Sequence, residues 1–266
     1  MLFLLLLSLS GSTGRIASDI IYYLAFLAPV GVMLNRIYQQ RDSSGRIIYS
    51  EGGDVIADLK SDFSISKENL IFSLPIIFPA VSVILVISVL TSMLLGVFGY
   101  ENTAVFDESL FVSIITHALV PAVLEELLFR FAPIKLLSEN KKTALILSSV
   151  MFAFAHANLF QIPYAFIAGL IFSSLYIITG SILPSMLLHF INNTVSLISI
   201  YGYTGAAFFI ILTSLSIISL AVITIRRKFY KEKLQAIFTK EKIVFSYYPI
   251  FFIITSLVLA CSMFFV

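Results

Sequence analysis

Glu125, Glu126 and Arg130 stand in an almost uninterrupted apolar stretch, where each charge costs on the order of 2.5–3.5 kcal/mol to insert. Two adjacent carboxylates at that depth require a reason. His156 and His189 follow in separate apolar segments. Phe152 lies four residues before the first, and Asn193 four after the second. Carboxylate, imidazole and amide together are the groups of acid–base hydrolysis: a base to take a proton from water and donors to receive a developing oxyanion.

Helical spacing sorts these groups. Glu126 and Arg130 are one turn apart with the acid N-terminal, which favours an ion pair. Glu125 is rotated about 100° from Glu126, off the pairing face, and is left as the carboxylate for chemistry. Phe152 shares a face with His156 and walls its ring. His189 and Asn193 share a face and could stabilise an oxyanion or hold a metal-bound water. Taken singly, either histidine is equally an interhelical hydrogen bond. Their convergence with Glu125 from three helices is what makes a site. His117 reads as a polar packing residue near its helix start, with Pro121 kinking the helix beyond it. Asn158 and Gln161 flank the turn after His156 and satisfy its backbone groups.

The elements that must position these groups are membrane spans. Of 266 residues, 59% are hydrophobic and 12% charged, with a mean hydropathy of +1.01. Soluble chains average about 25% charged residues, so this is a polytopic membrane protein, expected as one domain over 1–266. The net charge of +2 gives no case for a nucleic-acid partner. The single cysteine, Cys261, excludes an intrachain disulfide and a cysteine-based zinc site.

A spanning helix needs about 20 apolar residues. The pattern predicts an all-α bundle of about eight spans, near 16–34, 74–98, 110–134, 143–160, 162–179, 182–200, 204–225 and 247–265, around an intramembrane polar site. Residues 1–10 predict a short, half-crossing helix. At about 1.5 Å per residue, His189 and Glu125 fall nearer the basic end of their helices. His156 falls about 20 Å from that end if 143–160 is one straight span. A turn at 158–161 submerged within the protein removes the mismatch.

Loop charge sets orientation. Residues 226–242 carry seven Lys or Arg against two glutamates, so the 226–246 loop is expected in the cytoplasm. The loops at 135–142 and 35–69 then share that side, and 99–109 lies opposite. Residues 226–242 predict either a basic connector or an interfacial helix with Tyr230, Leu234, Ile237 and Phe238 on one face. Residues 46–59 could turn a hairpin at Glu51–Asp54, or form a solvated excursion.

The three blocks resemble those of the CPBP family, the CAAX-protease and bacteriocin-processing membrane proteins also called the Abi family. Its pattern is EExxxR, then FxxxH, then HxxxN or HxxxD on successive core helices. Glu125, Glu126 and Arg130 match the first block, Phe152 and His156 the second, and His189 and Asn193 the third. The resemblance covers roughly 110–200. One departure is Phe131, where many members have Gly after the arginine.

The resemblance implies an intramembrane endopeptidase whose substrate is a peptide or protein, prenylated in some relatives. In that picture Glu125 with His156 activates water, His189 with Asn193 holds the oxyanion, and Glu126 with Arg130 orients Glu125. Glu125, His156 and His189 could equally ligate zinc, and Asn193 tips the choice towards metal-free work. Two alternatives are an inactive relative, serving as a bacteriocin immunity factor or membrane scaffold, and a transporter. The second lacks the repeated halves such folds show. The Phe-, Ile- and Ser-rich composition suggests a bacterial cell membrane.

Overall fold

The computed structural model describes residues 29–32, 35, 37–41, 47–49, 52–101, 108–137 and 140–235. The expected helix at 1–10, the span at 247–265 and most of that at 16–34 lie outside them. The described chain is helical apart from one small hairpin, in which β1 (Gln39–Arg41) pairs antiparallel with β2 (Ile47–Tyr49). Helices follow as α1 (Gly52–Asp62), α2 (Lys67–Val97), α3 (Leu110–Leu136), α4 (Lys141–Ala155), α5 (Ile162–Thr179), α6 (Leu183–Ile200), α7 (Ala206–Ile225) and α8 (Arg227–Gln235). Among the described residues five of them, α2, α3, α5, α6 and α7, are long and apolar enough to cross a membrane. The protein is an integral membrane protein.

Two expectations need correction. The hairpin lies at 39–49 rather than around Glu51–Asp54, because Gly52–Asp62 is helical. Helical spacing brings Asp58 and Asp62 onto one lysine: Lys135 Nζ lies 2.6 Å from Asp58 and 2.5 Å from Asp62. The segment 143–160 is likewise not a span. α4 has 15 residues, about 22 Å at 1.5 Å per residue, short of the roughly 30 Å hydrocarbon core. It ends at a turn in which Ala157 takes the left-handed conformation at φ 48°. Asn158 Oδ1 accepts from Phe160 N–H at 2.9 Å to close that turn.

α3 is irregular for a visible reason. It contains two π-helical stretches, Ile114–Leu119 and Leu127–Phe131, each ending just before a proline pair member, Pro121 or Pro133. A proline lacks the N–H for the carbonyl four residues back and crowds it. For Pro133 that carbonyl belongs to Phe129, and Ser148 Oγ on α4 donates to it instead. Ser148 also bonds Ser173 Oγ on α5 at 3.0 Å. The α4–α5 contact is close because Gly169 has no side chain: a Cβ there would sit 2.8 Å from Ser149 Cα.

Polar contacts gather at the two ends of the bundle. At one end Tyr176 OH donates to Asp62 at 2.8 Å, and Ile182 N–H to the Asp62 carbonyl at 2.9 Å. Asn69 Nδ2 there donates to the Thr179 carbonyl at 2.7 Å. At the other end Tyr201 OH donates to the Glu108 carbonyl at 2.6 Å, and His117 meets the Glu108 carboxylate at 2.8 Å. Segment 57–69, Lys135, the α5–α6 turn and α8 therefore share one end. This is the end that carries most of the cations.

Burial alone would raise the Asp58 carboxyl, but hydrogen bonds from Lys135 and Tyr38 and the charge of Lys135 hold it below the usual carboxylate range. Burial, then the bond to Asp58, pushes the Tyr38 phenol up. A depressed carboxyl contributes stability above its unfolded value of about 3.9 and loses it as pH falls through the lower folded value. The contribution of this latch to thermal stability should thus be flat near neutrality and decline below about pH 4. Lys135→Met should abolish that acid dependence and lower the melting temperature at pH 7. In a detergent melt, Gly169→Ala should cost about 1–3 kcal/mol from overpacking, whereas Gly96→Ala, with nothing within 4 Å, should be neutral. Equal effects of the two would contradict the packing described.

Candidate active site

The Glu-Glu pair sits at the end of a regular turn of α3, directly before its second π-helical stretch. Glu126 and Arg130 are fully buried, and Arg130 Nη1 lies 2.9 Å from Glu126 Oε1. The guanidinium makes no fork of hydrogen bonds. It is held by that ion pair and by two aromatic faces, with Cζ 3.8 Å from the Phe152 ring centre and 5.0 Å from that of Phe172. A desolvated cation over an aromatic ring gains on the order of 2 kcal/mol, which offsets part of the cost of burying the charge.

His189, on α6, joins both carboxylates. Its Nδ1 donates to Glu126 Oε1 at 2.8 Å, and its Nε2 lies 3.6 Å from Glu125 Oε2. The 100° wheel puts Glu126, not Glu125, on the face of Arg130, and the ion pair is with Glu126. Both glutamates also bracket one imidazole, that of His189. Phe172 stacks on that ring at 5.0 Å with planes 27° apart, and Phe152 meets it edge-on at 5.5 Å.

His156, at the C-terminal cap of α4, packs edge-on against the other side of Phe152 at 4.8 Å. Its Nδ1 donates to the Phe152 carbonyl at 2.8 Å, so Nε2 carries the lone pair. Glu125, His189 and Arg130 are the charges within electrostatic reach of His156. α4 stops at Ala155, so His156 stands at its C-terminal cap, where the chain turns. Asn193 lies one turn beyond His189 on α6, and it accepts a 3.5 Å bond from Asn192, the more buried of the two amides. His117 is remote from this cluster, paired with Glu108.

Three contributors carried no motif. Phe172 lies in a featureless apolar run, and nothing in the sequence marks it. Ser148 and Ser173 could have been found, because Ala144, Ser148, Gly169 and Ser173 repeat small residues at four-residue spacing on two helices, the pattern of close helix contact.

The zinc set considered from sequence, Glu125, His156 and His189, fails a fit test. Glu126 engages one nitrogen of His189 and leaves the other open, as in metal-bound histidines, but among the described residues no three His, Cys, Asp or Glu side chains are arranged to hold a metal ion. No step proposed below is routed through a metal.

Five apolar spans and a buried carboxylate–imidazole–guanidinium cluster describe a membrane protein with a polar cluster inside its bundle. Residues 107–195 match the Rce1-like family model, described as Type II CAAX prenyl endopeptidase Rce1-like. That segment holds every motif residue from Glu125 to Asn193, and the match is consistent with the CAAX-protease family that the three blocks resemble. No curated protein and no solved structure matches the chain.

Removing the buried cation tests the cluster directly. Arg130→Ala should lower stability by about 3–5 kcal/mol, since it strands a buried carboxylate. Arg130→Lys should lose less stability but still disturb Glu126, because an ammonium cannot fill the flat slot between Phe152 and Phe172. Thermal melts in detergent check both. Unchanged melting of Arg130→Ala would refute the buried pair.

Proposed function

We propose that the protein is an intramembrane endopeptidase that hydrolyses peptide bonds with a water activated by Glu125 and His156. Glu125 takes the proton of the attacking water as its oxygen bonds to the scissile carbonyl carbon. The resulting oxyanion faces His189 and the Asn193 amide. Collapse breaks the C–N bond, and Glu125 returns the proton to the leaving amine. Glu126 is a positioning residue: tied to Arg130, it fixes His189 through Nδ1, much as a carboxylate orients the histidine of a hydrolase triad.

The observation that carries this reading is the bracketing of one buried imidazole by both glutamates, within electrostatic reach of a second imidazole whose Nε2 is a base. A structural salt-bridge knot would account for Glu126 and Arg130 alone. It gives no reason to bring Glu125, His189 and His156 to the same aromatic wall.

The substrate proposed is a peptide carrying an apolar group, prenylated where the host makes such proteins. A groove of about 330 Å³ supports this, lined by Leu74, Ile77, Leu119, Val123, Leu187 and Phe190 among others. Val123 precedes Glu125 by two residues, and Phe190 follows His189. The groove thus borders the helices that carry the reacting groups.

Purified protein assayed on quenched lipidated and unlipidated peptides tests both parts. Glu125→Gln should lower kcat/KM by about 10²–10⁴ at unchanged melting temperature, and a chelator should leave wild-type turnover intact. Leu187→Trp should raise KM for the lipidated peptide while sparing kcat. Absence of turnover on every peptide would favour the inactive relative, and loss of turnover to chelator would overturn the metal-free mechanism.

A further inference from the structure

α8 has two faces of opposite character. Phe229, Tyr230 and Lys233 turn inward onto the first turns of α2. The Phe229 and Tyr230 rings lie 6.0 and 5.1 Å from Phe72, and Tyr230 OH donates to the Phe72 carbonyl at 3.1 Å. Lys233 pairs with Glu68 at 2.8 Å and donates to Asn69 Oδ1 at 3.1 Å. At about 100° per residue these three share one side of the helix. Arg227, Lys228 and Lys231 occupy the other and are exposed, as is Arg226 at the junction with α7. Leu234, expected on an apolar face with Tyr230, is exposed beside the cations. Ile237 and Phe238 lie outside the described residues.

The helix expected as one of two alternatives forms over Arg227–Gln235, but Tyr230 and Leu234 do not share an outer apolar face, because Tyr230 is packed on Phe72 within the protein. What remains outward is a group of cations at a fixed place, with one exposed acid, Glu232, beside them. Among the described residues α7, which leads into α8, is the span least covered by protein, with 17% of its most apolar window buried. An apolar span of that length puts its basic end, and with it the α7–α8 junction, at headgroup level. A connector that served only to fix topology would need no docked helix. Arg226 is further ordered by its guanidinium over the Phe229 ring at 5.3 Å.

We propose that the outer face of α8 is a docking surface for anionic phospholipid headgroups, whose phosphates are held by Arg226, Arg227, Lys228 and Lys231. Guanidinium groups take phosphate oxygens in pairs, and clustered basic residues just beyond a span bind anionic leaflets cooperatively with their number. Lys233 is not part of the surface, since its charge is spent on Glu68.

Native mass spectrometry of the full chain in neutral detergent, titrated with phosphatidylglycerol or phosphatidylcholine, tests this. Wild type should retain phosphatidylglycerol in preference, and the Arg226→Gln, Arg227→Gln, Lys228→Gln, Lys231→Gln variant should bind it at least about tenfold more weakly, with phosphatidylcholine unchanged. If that variant does not fold, Arg226→Gln and Lys231→Gln singly should each reduce retention. A control, Lys60→Gln with Lys67→Gln, removes charge elsewhere at the same end and should keep the preference. Equal retention of the two lipids by wild type, equal loss in the control, or competition by soluble glycerol phosphate at lipid-like concentrations would each overturn the proposal.

Discussion

A fully buried guanidinium, that of Arg130, constrains how the rest of this bundle is built. Arg130 could not remain charged inside five apolar spans without a carboxylate at 2.9 Å and an aromatic ring on its face. Supplying them fixes Glu126 on the turn before, Phe152 on α4 and Phe172 on α5. Those same rings then wall His189, and Glu126 holds its Nδ1. The charge that is hardest to bury thereby organises the side chains best suited to acid–base work.

Backbone irregularity serves the same end. Pro121 and Pro133 prevent α3 from being an even helix, and the regular turn between its two π-helical stretches carries the consecutive glutamates that bracket His189. The carbonyl that Pro133 leaves behind is claimed by Ser148, which also reaches Ser173. The helix carrying the acids is thereby clamped to the pair carrying His156 and Phe172. At the basic end, Lys135 joins α3 to α1 through Asp58 and Asp62, so that the acidic segment before α2 caps the same helix.

Much of this was legible in the sequence and some was not. Charged and imidazole side chains are conspicuous in apolar surroundings, so Glu125, Glu126, Arg130, His156 and His189 could be picked out from type and spacing alone. The short α4 was also readable, because 143–157 is too few residues to cross. The face assignment held for Arg130, which pairs with Glu126; that both glutamates would also reach His189 was not legible, because it depends on how α6 packs against α3. Phe172 was invisible because an aromatic in an apolar run carries no signal of what it touches. The hairpin was misplaced because Gly52 and Gly53 suggest a turn, whereas the ion pairs of Asp58 and Asp62 require a helix.

The central claim is that Glu126 and His189 form one buried, energetically coupled unit. A double-mutant cycle on thermal stability, with Glu126→Gln, His189→Asn and both together, measures that coupling without requiring a substrate. Contact in a buried network predicts an interaction energy of about 1–3 kcal/mol. Additivity within about 0.3–0.5 kcal/mol, as for side chains far apart, would contradict it.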